Sequence, residues 1–325
     1  MENETLSLLT PPPQERLNAW LTEIYGKAVQ IKERKLLRHR DLSYVERLKL
    51  TDAMPESLIY KVVLPPWDVE QDLHEHILIP EVSNSARLYL SGTYQGTTAL
   101  FMEDLGEKAL LDSLSENGDL VNKVGTELAK LHRSFTYRIA EVRESNVLQN
   151  LLPSDFAPCS KELADELLSG GAINDEQAGI IERVGELAGS VLADEPVSLV
   201  HGDLYAENIL FDGHKLWIID WSWFSMISAP ILDLATVSMK HFKNGALADR
   251  RNELLEAYCL EYSRNLEETV RRLPYAEAFS RLLFLRWLAE RRRRGITGTT
   301  VGPVEILIGT VVSEMGMYLK DLAAS

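Results

Sequence analysis

HGDLYAENILFDGHKLWIIDW, residues 201–221, is the stretch on which the reading of this chain turns. A polar loop carrying His201, Asp203 and Asn208 leads into the apolar run ILF, turns at Gly213 and returns through KLWII to Asp220. Short apolar and β-branched runs on either side of a glycine turn read as a hairpin. The hairpin brings Asp220 back to the end where Asn208 begins, so Asp203, Asn208 and Asp220 share one rim. Taken singly, each would be an ordinary turn-capping residue; their common placement is what suggests chemistry.

Upstream of this stretch, VSLV at 197–200 reads as a short strand, and 133–195 is helix and loop without strand alternation. Leu120–His132 is amphipathic, with Val121, Val124, Leu128 and Leu131 on one stripe. Nearer the N-terminus, Pro11–Pro13 precede a predicted helix with Leu17, Trp20, Leu21 and Ile24 on one face, ended by Gly26. Three strand-like runs follow between Val29 and Val63, separated by RHRDL and TDAMPE. After Pro65-Pro66, Glu70, Leu73 and Ile77 fall on one helical face, and ARLYLSG and TTALFMED supply two more strands. From Asp233 onward the chain is helical again. The order predicts an α+β fold of two lobes, a small antiparallel-sheet lobe over about 1–104 and a larger, mostly helical lobe over 105–325, with a hinge near 101–105.

The chain has 325 residues, 45% hydrophobic and 26% charged, the composition of a globular protein with a core of its own. Lys plus Arg number 34 against 49 Asp plus Glu, a net charge of −15. Such an anion repels phosphate backbones and anionic lipids, which argues against nucleic acid or membrane as the main partner. The longest uncharged stretch, Leu88–Met102, is too short and too polar to span a bilayer. The acidic N-terminal residues do not read as a signal peptide, and Cys159 and Cys259 lie in no metal-type spacing. A reduced cytoplasmic setting is the expectation, with a monomer as the default. The seven histidines form no HExxH or Cys/His framework, which leaves hard oxygen ligands as the metal-binding option.

A carboxylate at a loop, an amide five residues on and a second carboxylate at a hairpin end are the groups that phosphoryl transfer requires. One carboxylate accepts the proton of an attacking hydroxyl, while the amide and the other carboxylate hold Mg²⁺. The pattern HGDxxxxN followed by IDW, with Asp233 later in APILDLA, resembles the aminoglycoside phosphotransferase and choline kinase family of the protein-kinase-like superfamily. The resemblance runs across most of the chain and implies a catalytic Asp203, with Asn208 and Asp220 as Mg²⁺ ligands. It further implies Lys61 in LIYKVV as the strand lysine that pairs the phosphates of ATP or GTP. Glu70 is its ion-pair partner, with Glu75 the competing choice. The resemblance likewise makes Met102, Glu103 and Asp104 the hinge whose backbone would bind the base, and implies a small-molecule hydroxyl as the acceptor. LAKLH, ending at His132, resembles the helix before the substrate region. His201 is read as ordering the loop, His132 as structural, and Asp233 as bracing the loop from behind.

Two departures accompany the resemblance. The first hairpin turn, RHRDLS, has no glycine, so Ser43 and backbone amides would have to meet the phosphates, and Ser222 follows the IDW tryptophan where relatives often carry an acid. The protein-kinase marks GxGxxG, HRD, DFG and APE are missing, which favours a small acceptor over a protein. A protein kinase and a nucleotide-binding scaffold of the same fold are the rival readings. Ten acids between Asp155 and Glu195 (155, 162, 165, 166, 175, 176, 182, 186, 194 and 195) point weakly to a cationic acceptor of aminoglycoside or choline type. The ordinary alternative is a solvated helix face.

Overall fold

The computed structural model describes residues 9–115 and 117–324. The chain begins α1 (Gln14–Tyr25), β1 (Gln30–His39), β2 (Ser43–Thr51), β3 (Ser57–Val63), α2 (Val69–His76), α3 (Pro80–Ser83), β4 (Leu88–Tyr94) and β5 (Thr97–Glu103). It continues α4 (Leu110–Leu114), α5 (Leu120–Tyr137), α6 (Ile139–Glu144), α7 (Phe156–Ser169), α8 (Asp175–Val191), β6 (Ser198–Val200), β7 (Ile209–Phe211), β8 (Leu216–Ile218) and β9 (Met226–Ser228). It closes with α9 (Ile231–Ser238), α10 (Ala246–Asp249), α11 (Arg251–Tyr262), α12 (Leu266–Arg293), β10 (Gly298–Thr299), β11 (Gly302–Pro303) and α13 (Val304–Ala324). Two compact units result: Met1–Lys108 with Leu210–Trp223, and Ala109–Ile209 with Phe224–Ser325.

The first unit is an antiparallel five-stranded sheet in the order β1-β2-β3-β5-β4. Because side chains alternate along a strand, its two faces differ in character. One face carries Leu48, Leu50, Leu58, Tyr60, Val62, Ala99 and Phe101, buried against Leu17, Trp20 and Leu21 of α1. Those three α1 residues lie on the stripe read from the sequence, and the helix stops where Gly26 takes a left-handed φ of 65°. Burying such side chains stabilises by about 1.5–3 kcal/mol each. Close approach of Trp20 to the sheet depends on Gly92 in β4, where a Cβ would stand 2.5 Å from the indole nitrogen.

The other face is polar at one end and apolar at the other. In register, Arg38 of β1 stands opposite Val45 of β2, Val45 opposite Lys61 of β3, and Lys61 opposite Leu100 of β5. A slip between Leu36 and Arg38 leaves Leu37 as a bulge residue. An unbroken ladder would have set Leu37 in line with Lys61; the bulge sets an arginine there. Two residues from Lys61 along β3, Ile59 pairs with Met102, and it packs with Ala86, Leu88, Leu100 and Leu105 in a small apolar cluster.

The β7–β8 hairpin completes this unit. Its exposed backbone groups are met there: the Phe211 amide donates to the Lys108 carbonyl (3.0 Å) and the Ile218 amide to the Asn84 carbonyl (2.7 Å). Asp212 closes the turn by accepting from the amides of His214 and Lys215 and from the Trp217 indole. A single division at residue 104 therefore differs from the packing, which continues the first unit to Lys108 and returns 210–223 to it.

In the second unit α5 packs on α11, α7 on α8, and the long α12 on α8, α9 and α13. β6 and β9 form a two-stranded antiparallel ribbon. Among the described residues, no helix is long and apolar enough to cross a membrane.

Candidate active site

Lys61, Glu70 and Asp220 meet on the polar face of the first unit. Lys61 is 6% exposed and Glu70, from α2, 3%. The Lys61 ammonium donates to Glu70 Oε2 and, at 2.6 Å, to Asp220 Oδ1. Glu75 faces elsewhere and accepts from Gln71 and Ser91, so the structure pairs Lys61 with Glu70. Arg38 also reaches Asp220, with Nη1 3.0 Å from Oδ2 and Nη2 3.3 Å from Oδ1. Burial would raise the Asp220 pKa, but Arg38 and Lys61 outweigh it and hold the carboxyl well below its ordinary range. Burial would lower Lys61, yet the charges of Asp220 and Glu70 raise it. Glu70 is itself raised, chiefly by burial, with Lys61 only partly offsetting that. Asp220 sits at a left-handed φ of 63°, a conformation that Asp tolerates better than most residues.

Ser43 begins β2 on the same face as Val45 and closes the β1–β2 turn, its carbonyl accepting from the Arg40 amide at 2.8 Å. Leu42, inside that turn, is buried, and its carbonyl accepts from the Leu64 amide. Met102 belongs to the apolar cluster, and the Glu103 amide is bonded to the Arg87 carbonyl. The Asp104 carboxylate is committed to Arg47 (2.6 and 2.8 Å), Ser57 and the Gly106 amide. Burial raises its pKa, and these donors more than reverse the shift. Arg47 also binds Glu107 and the Gly106 carbonyl, which ties β2 to the chain leaving β5.

Asp203 and Asn208 belong to the second unit, on a loop held from several sides. The Asp233 carboxylate, fully buried, accepts from the amides of His201 (2.9 Å) and Gly202 (2.8 Å). Gly202 has φ 77° and approaches so closely that a Cβ would lie 2.2 Å from the Phe224 carbonyl oxygen; only glycine fits. The Asp203 amide donates to His201 Nδ1 at 3.3 Å. Asn208 Nδ2 donates to the Asp203 carbonyl at 2.8 Å, closing the loop on itself. Asn244, also fully buried, accepts from the Ala206 amide and donates to the carbonyls of Thr236 and Met239.

The donor chemistry suits a magnesium nucleotide. Asp220 is kept ionised, and the Asn208 amide bonds through its nitrogen, which turns its oxygen into the available ligand atom; both are hard oxygen donors of the kind Mg²⁺ takes. In the first unit, cations stand at one end of the face and apolar side chains at the other, matching the phosphates and base of a nucleotide.

Several acids of the 155–195 run have partners or capping roles of their own. Asp155 caps a turn by accepting from the Leu152 amide, and Asp175 and Glu176 open α8. Glu186 pairs with Arg183, Glu166 with Arg293, and Glu195 with Arg264 and Arg272. Reasoning from sequence also passed over Arg38, Arg47 and Asn244. The first was visible only as a missing glycine in RHRDLS, while the others carried no local signal.

The Phosphotransferase enzyme family matches this chain over residues 47–273. No curated protein matches it at the level of sequence. Among solved structures, a choline/ethanolamine kinase family protein from Mesorhizobium loti superposes with a TM-score of 0.64 at 16% identity, over 95% of this chain and 96% of that one. An ethanolamine kinase from Plasmodium vivax gives 0.61 at 14% identity, over 87% and 81%. A spectinomycin phosphotransferase, solved with ADP and spectinomycin, gives 0.59 at 13% identity, over 95% and 99%. At these identities the likeness is one of fold.

Proposed function

Because the chain belongs to the Phosphotransferase enzyme family, we propose that it transfers the γ-phosphate of ATP or GTP to a hydroxyl of a small molecule. The observation that carries this reading is Lys61, bonded at once to Glu70 and Asp220 on the sheet face that also bears the Ile59–Leu100–Met102 cluster. Glu70 holds the ammonium in place, and Lys61 positions the α- and β-phosphates. The apolar cluster receives the base, with backbone groups just beyond Met102 to orient it. Asp220 and Asn208 each offer a hard oxygen that would hold Mg²⁺, which would supply charge neutralisation on the phosphates. Asp203 orients the acceptor hydroxyl and takes its proton. The amides of His201 and Gly202, anchored on Asp233, keep the Asp203 loop in one geometry, so the base is preorganised.

The acceptor is a hydroxylated small molecule of the choline, ethanolamine or aminoglycoside kind, the compounds named for its structural neighbours. The test is magnesium-dependent NDP release from ATP and GTP across aminoglycosides, choline-like amines, nucleosides and sugars. Stimulation by one class, lost in Asp203→Ala with nucleotide affinity intact, supports the reading. Equal turnover by the Asp203→Ala protein sinks it.

A further inference from the structure

Arg38 lies two strands from Lys61, and yet it reaches the same carboxylate. Strands lie ~4.8 Å apart, so Arg38 and Lys61, with β2 between them, start roughly 10 Å apart at the backbone. Their side chains converge on the two oxygens of Asp220. The bulge at Leu37 is what turns the arginine to this face. Arg38 and Asp220 are 29% and 22% exposed at the side chain, so the ion pair is only partly open to water.

The cluster of Arg38, Lys61, Asp220 and Glu70 is balanced, two positive charges against two negative. A cation that takes Asp220 shares the carboxylate's charge and competes with Arg38 for its two oxygens. A guanidinium fork donates to phosphate oxygens with the same two-pronged geometry with which it donates to a carboxylate. The β1–β2 turn that follows Arg38 is short, stapled by the Arg40–Ser43 bond and free of glycine, so it is no flexible cover of backbone amides.

We propose that Arg38 is a nucleotide-phosphate ligand: it exchanges Asp220 for a phosphate group when the magnesium nucleotide binds, doing with a side chain what a glycine-rich loop does with its backbone. This rests on the nucleotide-dependent reading above. It predicts that the arginine contributes to triphosphate affinity and not to recognition of the base.

The test is equilibrium binding of MgATP, MgGTP and the unphosphorylated nucleosides to the full chain, to Arg38→Ala and to Arg38→Lys, with circular dichroism on each sample. Arg34→Ala is the control, since Arg34 lies on the same strand and pairs with Glu46 instead. A charge-assisted contact of this kind predicts triphosphate binding weakened about ten- to hundredfold in Arg38→Ala, partly restored in Arg38→Lys and unchanged in Arg34→Ala. Nucleoside binding stays the same throughout. Triphosphate affinity that is unchanged or tighter in Arg38→Ala overturns the proposal, for it would mean that Arg38 merely occupies Asp220. Failure of the unaltered protein to bind either triphosphate overturns the nucleotide reading itself.

Discussion

Asp233 and His132, both fully buried, stand 3.1 Å apart, Oδ2 against Nε2. The same carboxylate receives the amides of His201 and Gly202, which places the ring proton on Nε2 and leaves Nδ1 to accept from the Tyr258 hydroxyl at 3.0 Å. Tyr258 is pushed well above its ordinary pKa by burial and stays a donor. A buried chain thus runs from α11 through α5 and α9 to the Asp203 loop, and each member satisfies the next.

Asp233→Asn breaks this chain at its centre, since an amide cannot accept on both of its ends. The expected cost is roughly 2–4 kcal/mol of stability, with Tyr258→Phe costing about 1–2 because it strands only one acceptor. Urea denaturation of both variants measures this. Equal midpoints for the two would show that Asp233 does not organise the network.

Glu70 and Glu75 separate cleanly by environment. Glu70→Gln leaves Lys61 with one carboxylate and should weaken MgATP binding about tenfold, whereas Glu75→Gln, altering a surface group, should stay within about twofold. Titration calorimetry on the two variants decides it, and a larger effect from Glu75→Gln would reverse the assignment.

His74, on α2, is pushed down from its ordinary value of 6.5 to about 4, first by burial and then by the charge of Lys61. The fold therefore accommodates the neutral ring, the unfolded chain binds the extra proton, and stability falls as pH drops from 6.5 toward 4. A shift of this size corresponds to roughly 3 kcal/mol over that window. His74→Gln should flatten this limb of the stability–pH profile, and an unchanged slope would assign the acid sensitivity to other groups.

Gly92→Ala forces a methyl group against Trp20, whose Cε2 would be 2.7 Å away. Overpacking of this kind costs about 1–3 kcal/mol. Trp20→Leu in the same chain makes room, so the double variant should lose less than the two single losses combined. Additive losses, measured by thermal denaturation, would place the strain elsewhere.

The placement of much of the candidate site was legible because it is local in sequence. Asp203 and Asn208 lie on one loop, closed by a hydrogen bond between them. Lys61 and Glu70 are nine residues apart, on a strand and the helix that follows it. The choice between Glu70 and Glu75 was not legible, because both fall within one eight-residue helix and only its rotation against β3 separates them.

By itself, the amino-acid sequence determined the order of elements, the apolar stripe of α1 and the amphipathic α5, all of which follow from spacing along the chain. Tertiary structure decided the rest. The bulge at Leu37 brings Arg38 into line with Lys61, because ladder register belongs to a pair of strands and not to either one. The hairpin at 210–223 joins the first unit because its backbone groups find partners at Asn84 and Lys108, more than a hundred residues away in the chain. Asn244 supports the Asp203 loop through bonds to residues that only folding brings within reach. Contacts of this kind carry no periodicity, since their partners are chosen by packing and not by spacing.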